Sequence, residues 1–382
     1  MPVSPTDILL LRAETYLREI VAPQAGQLDT DSEALHGALR GLGELGGLGL
    51  KVPKTWGGAE LGDREFRQFL ELVPRYSGAL SFLQNQHQSA SALLASSHNT
   101  ELKRAYLARA VTGEALIGVG FSHLRREGGS PLKAREVAGS YCLDGTAPWI
   151  TGAGFFQTFI IGAELSDGSA VYGMAPLRSH QQSGGGELRL SEPMELAAMG
   201  STRTVSAELS AWRLDASQVV GLDEPGAIHS RDRRNVLNHG FYALGCARAG
   251  LDVLDRVALQ KPSVAIRQTW EQLNRALDAL RDNFYTAMQP AEAEFAKRLQ
   301  LRGQAIYLAG TCARAAVIAS GGSANSCQHP AQRVYREALV YSISGQTTAV
   351  RDTSLELLVR NTVDRANQTS ASIALESEPY HP

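Results

Sequence analysis

The chain has 382 residues, 43% of them hydrophobic and 20% charged, and its 37 basic against 39 acidic residues leave a formal net charge of -2. At about 150 residues per domain this is roughly two or three domains, with a core large enough to need no metal or disulfide staple. A near-neutral balance carries neither the basic stripe of a nucleic-acid binder nor an acidic tail, so charge excludes those partners without naming another.

Residues 1–112 read as a helical domain, because apolar positions recur at three- and four-residue spacing through Leu9, Leu10, Leu11, Leu17 and Ile20, and again through Phe66, Phe69, Leu70, Leu72 and Val73. Residues 113–224 change to short β-rich runs such as Ala115–Val119, Tyr141–Leu143, Thr158–Ile161 and Ala170–Met174, separated by Gly, Ser and Pro. From residue 225 to 360 the helical period returns, interrupted at Pro262, Pro290 and Gly321-Gly322, and residues 361–382 form a tail that loses it. The expectation is an α+β multi-domain chain: an N-terminal helical domain, a middle antiparallel β-barrel or sandwich, and a C-terminal four-helix bundle.

Some signals are weak. Gly41-Leu42-Gly43-Glu44-Leu45-Gly46 matches G-x-G-x-x-G, but residues 31–40 before it read as helix where a dinucleotide site needs a strand, so we reject that reading. Cys142, Cys246, Cys312 and Cys327 are widely spaced, which suggests neither a metal site nor a redox dithiol. The apolar run at residues 8–11 is too short and wrongly flanked for a signal peptide, so the expectation is a cytoplasmic protein with no membrane partner.

Several local motifs together resemble the acyl-CoA dehydrogenase superfamily over nearly the whole chain. They are Leu45–Pro53 followed by Trp56-Gly57-Gly58, Gly139–Gly145 followed by Trp149-Ile150-Thr151-Gly152, Met199–Thr204, Gly245–Asp252, and Ala316–Tyr341 with Gly321-Gly322, Pro330, Arg333 and Arg336-Glu337-Ala338. The resemblance implies a flavin, FAD with FMN as the alternative. It also implies a small acyl substrate such as a CoA thioester, and a homodimer or homotetramer in which the nucleotide half of the cofactor lies between subunits. Carried over residue by residue, the cofactor contacts are Ser122, Ser130, Trp149, Thr151, Gly321 and Gly322. The chemistry of these residues agrees: an indole and a hydroxyl two apart on a strand face one side and would line a ring, and glycines allow close approach to a pyrophosphate. Arg125 and Arg126, in a loop about two residues longer than the family's, are candidates for pairing with substrate or cofactor phosphates.

The sequence departs from the family where the reaction needs a base. The glutamate that takes the α-proton lies in one of two places in this family, and these correspond here to Gly345 and Asn235, neither of which accepts a proton at neutral pH. The family's glutamine across the dimer aligns with Ile318, and its Arg-x-x-Phe-Gly segment is replaced by Ala258–Pro262. His87, in the polar stretch Gln84–Ser91 of a helix that lines the acyl pocket in the family, is the leading substitute. His239, Asp232 and Glu337 are weaker ones. Three readings follow: an acyl-CoA dehydrogenase-type oxidoreductase passing hydride to flavin N5, a reduced-flavin-dependent monooxygenase of the same fold, which resembles this chain in carrying a histidine in that helix, and a degenerate, non-catalytic binding or assembly protein.

Overall fold

The protein is described by a computed structural model covering residues 5–288 and 294–376. Six helices come first: α1 (Pro5–Tyr16), α2 (Ala25–Leu28), α3 (Ser32–Glu44), α4 (Asp63–Tyr76), α5 (Gly78–Ala95) and α6 (Thr100–Thr112). Their boundaries follow side-chain capping. Asp31 accepts from the amides of Glu33 and Ala34 to start α3, Ser77 and Asn99 cap α5 and α6, and Gly113 at φ 80° ends α6. The segment Gly41–Gly46 is the C-terminal end of α3 and the turn after it, with Gly46 at φ 80° and no strand before it.

The polar stretch of α5 is a clamp. Gln88 donates to the carbonyl of Gly47 and accepts from the amide of Leu50, while His87 bonds the carbonyl of Ala110 and the amide of Ile117. These bonds satisfy backbone groups that the junction between helices and sheet would otherwise bury unpaired.

The strands are β1 (Ile117–Gly120), β2 (Leu132–Val137), β3 (Ser140–Ile150), β4 (Thr158–Glu164), β5 (Ala170–Pro176), β6 (His180–Gln181), β7 (Glu187–Leu190), β8 (Val205–Leu214) and β9 (Val219–Asp223). They form one sheet in the order β6-β7-β8-β3-β2-β4-β5-β9, with β1 on β4. Most pairs are antiparallel as expected, but β1 runs parallel to β4 and β2 touches β4 in parallel, so the sheet is mixed. The reason is topological: the β2–β3 hairpin intervenes between β1 and β4, and the chain returns to β4 in its original direction.

The C-terminal helices are α7 (Ala227–Arg234), α8 (Asn238–Gln260), α9 (Val264–Thr286), α10 (Phe295–Ser320), α11 (Pro330–Ile343) and α12 (Thr348–Glu376). Pro262 and Gly321 fall at interruptions as read, and Pro290 lies outside the described residues. The tail read as aperiodic continues α12 to Glu376, because residues 361–376 contain no Gly or Pro to end a helix. With the turn that follows it, α10 is apolar and long enough by composition to span a membrane, yet it buries Arg298 and Arg302 within the bundle.

Candidate functional site

A cavity of about 780 Å³ opens where the end of α5, strand β9, helix α7 and the N-terminal ends of α8 and α12 converge. Asn235 and Gly345 both line it, although they lie on separate connections between helices. His239 stands between them. Its Nδ1 is 3.0 Å from the hydroxyl of Ser344, and Nε2 has no hydrogen-bond partner among the described residues. A Cβ placed on Gly345 would lie 2.5 Å from both Cδ2 and Nε2 of this ring, and Gly345 holds φ 56°, so glycine is required there on two counts. The imidazole occupies the space that any side chain at 345 would enter.

Arg302 of α10 fixes this geometry from below. It donates to the carbonyls of Val236 at 3.1 Å, Ser344 at 2.8 Å and Gly345 at 2.9 Å, and so ties the connection before α8 to the connection before α12. Burial draws its pKa down to about 10, which still leaves it charged at neutral pH. Enclosure, together with the positive charges of Arg302 and Arg125, holds His239 down to about 3, so the ring is neutral. The sequence reading missed Arg302. The available signal was a pair of arginines four apart, Arg298 and Arg302, which share a helix face with Leu301, Ala305 and Leu308.

Of the residues singled out from sequence, Arg125, Asp232 and His239 share this cavity with Asn235 and Gly345, and the others lie elsewhere. His87 is fully buried between α6 and β1, its Nε2 2.9 Å from the carbonyl of Ala110 and its Nδ1 accepting from Ile117 N–H at 3.0 Å, with its pKa lowered by burial to about 4. Both nitrogens are spent on backbone, which gives it a structural role and no reach into the cavity. Arg125 does line the cavity, but its Nε and Nη2 form a bidentate pair with Asp232 at 2.8 and 3.0 Å, which matches its charge internally. Asp232 is thereby occupied as well. Arg126 faces a second, smaller hollow with Ser130, Glu164 and Asp223. Glu337 is buried against Arg333 and accepts from the amide of Gly78, away from the cavity.

Trp149 and Thr151 do not share a face. A register irregularity between Ala147 and Ile150 breaks the alternation of β3, leaving Trp149 54% exposed while Thr151, one residue past the strand, is 5% exposed and bonded to Thr204 at 3.0 Å. Ser122 is exposed at the start of a 3₁₀ turn. Gly321 and Gly322 follow α10 with open space around their backbone, Gly321 at φ 69°.

Comparison with known proteins agrees with this architecture. Residues 7–114 match the family described as acyl-CoA dehydrogenase, N-terminal domain. Mitochondrial isovaleryl-CoA dehydrogenase of Pongo abelii is 25% identical over 365 residues, covering 88% of this chain and 84% of that protein. A 3-(aryl)acrylate reductase of Clostridium sporogenes is 23% identical over 255 residues, 65% of this chain and 67% of that one. The structure of glutaryl-coenzyme A dehydrogenase in its glutaryl-CoA complex superposes with a TM-score of 0.75 at 20% identity, covering 94% of this chain and 96% of that chain. Over most of its length the chain is similar to acyl-CoA dehydrogenases, and its helical, β, helical plan is the acyl-CoA dehydrogenase fold.

How well the residues suit a flavin divides in two. On the ring side, the half-exposed indole of Trp149 offers an apolar platform and Ser122 an accessible hydroxyl. The open backbone at Gly321-Gly322 leaves room for close approach of a phosphate. On the loop side, Ser130 N–H donates to the Glu164 carboxylate at 2.6 Å and its hydroxyl is bonded to the backbone of Leu132. A carboxylate on that amide repels an anion, so within one protomer the loop is not a phosphate cradle.

Proposed function

We propose that this protein is a flavin-linked oxidoreductase acting on an acyl substrate, with His239 in the place of the superfamily's glutamate. One observation carries this: the two positions where the base is expected line one cavity, and the imidazole of His239 fills the space of the side chain missing from 345. Trp149, Ser122 and the Gly321-Gly322 backbone would hold the flavin, whose contribution when bound is to accept two electrons as hydride from the substrate β-carbon. With Nδ1–H donating to Ser344, the neutral ring presents the lone pair of Nε2 to the substrate α-proton. Arg302 and Arg125 make a charged imidazolium costly, so proton uptake has to be matched by negative charge beside it. Names among the relatives include dehydrogenases of CoA esters and a reductase of acrylates, and both reactions move a proton and a hydride across adjacent carbons.

The monooxygenase reading loses the residue that motivated it, since His87 does not reach the cavity. We further propose that the protein is a homo-oligomer. Ile318, Tyr335, Leu339, Ile343, Leu355 and Val359 of α10–α12 are all at least half exposed, an apolar surface that association would cover.

The test begins with the visible spectrum of the purified protein after reconstitution with FAD or FMN. A colourless protein overturns the enzymatic reading in favour of a binding role. Anaerobic bleaching by an acyl substrate supports it, and His239→Gln keeps the flavin while slowing bleaching by about 10²–10⁴-fold. Oxygen uptake that requires a flavin reductase and NADH would instead restore the monooxygenase.

A further inference from the structure

Most charged side chains lining the cavity already have a partner. Arg125 is matched by Asp232 and Arg231 by Asp223, each through short contacts of the guanidinium. Glu127, at the rim, is bonded to the hydroxyl of Thr348. Arg302 is only 3% exposed, and its hydrogen-bond partners are three backbone carbonyls; Asp232 favours its charge without bonding to it, but Asp232 is itself bonded to Arg125, whose charge opposes that of Arg302. Those carbonyls take at most three of its five N–H donors, and Nε has no partner. Two of them, Ser344 and Gly345, lie just past the end of α11, so its negative dipole end eases the charge without neutralising it. A buried cation that shares its one counter-charge with a second arginine is costly, and proteins keep one chiefly where something else completes it. Here it sits in the wall of the cavity, beside the group assigned to proton transfer.

We infer that the ligand group facing His239 and Gly345 is a carboxylate, held by Arg302, rather than the neutral carbonyl of a thioester. The substrate class is a free carboxylic acid, saturated or unsaturated next to the carboxyl carbon. This rests on the reading of the cavity as the substrate site. It also resolves the tension noted above. A carboxylate beside Arg302 cancels the positive field on His239 and supplies the negative charge that proton uptake needs. Arg302 is then a binding residue for the ligand and a positioning residue for the ring.

Isothermal titration with two matched pairs, crotonate against crotonamide and cinnamate against cinnamamide, tests the proposal without turnover. The wild-type protein is expected to bind each acid at least about tenfold more tightly than its amide, since a hydrogen bond to a charged group is lost in the amide. Arg302→Lys keeps a cation without the fork and should retain part of that preference, while Arg302→Gln should abolish it. Equal affinity of acid and amide in the wild type, no binding of either, or a preference untouched in a folded Arg302→Gln protein would each overturn the proposal. The outcome is separable from the flavin reading. A colourless protein that prefers acids removes the flavin and leaves the carboxylate site, whereas a yellow protein without preference does the reverse.

Discussion

His87 and His239 stand in two regions that look alike by charge state and differ in everything that decides a role. Both imidazoles are held neutral, at about 4 and about 3, with enclosure in protein as the first cause. His87, inside α5, gives one nitrogen to a carbonyl and takes an amide with the other, closing the seam between the helical domain and β1. His239, on the first turn of α8, has one nitrogen anchored by Ser344 and the other turned to a cavity, with arginines nearby. A depressed pKa therefore does not identify a working histidine. What does is an unspent nitrogen that faces open volume.

Four measurements can break or sharpen that contrast. The largest effect is expected on turnover: His239→Gln should lower it by about 10²–10⁴-fold with little change in unfolding midpoint, and an unchanged rate would dissolve the distinction from the active side. His87→Ala should act in the opposite column. It removes a buried ring and orphans a buried amide and carbonyl, at a cost of about 3–4 kcal/mol in urea unfolding, while the rate per folded molecule is preserved.

The pH dependence of stability separates the two further. A folded pKa below the unfolded one means that the unfolded chain binds more protons between the two values, so stability rises with pH there. The His87 contribution is full above 6.5 and is lost as pH falls toward about 4. The span corresponds to on the order of 3 kcal/mol. Urea midpoints of wild type and His87→Gln compared at pH 7.5 and 4.5 should converge as the pH falls, and parallel curves would contradict the neutral buried ring.

Smaller effects are expected from rebuilding the missing carboxylate. Gly345→Glu alone should fail to raise dehydrogenation and should cost about 2–3 kcal/mol, from the left-handed backbone and the collision with His239. Combining it with His239→Ala removes the collision and should recover part of the loss, measured as an unfolding midpoint, and no recovery would mean that the ring is not what excludes the side chain.

Much of the fold was legible in the sequence because it rests on local rules. Apolar spacing along α4 and the change to β-rich runs after residue 113 both act over a few residues. The site was legible only in its gaps. Gly345 and Asn235, aligned with the base positions, line one cavity, and His239, which lines it too, was named, though behind His87. Trp149 and Thr151 were paired on one face by strict alternation, which fails where β3 slips register against β8.

What the sequence by itself determined is the order of helices and strands, the resemblance of the chain to a known family and the identities of Gly345 and Asn235. Each of these is written in residue identity and short-range spacing. Only the tertiary structure decided which histidine is free, because that depends on partners far along the chain: Ala110 and Ile117 for His87, Ser344 and Gly345 for His239. It alone also showed that Arg125 is bonded directly to Asp232 while Arg302 bonds only backbone carbonyls, since a charge is matched by what lies beside it in space.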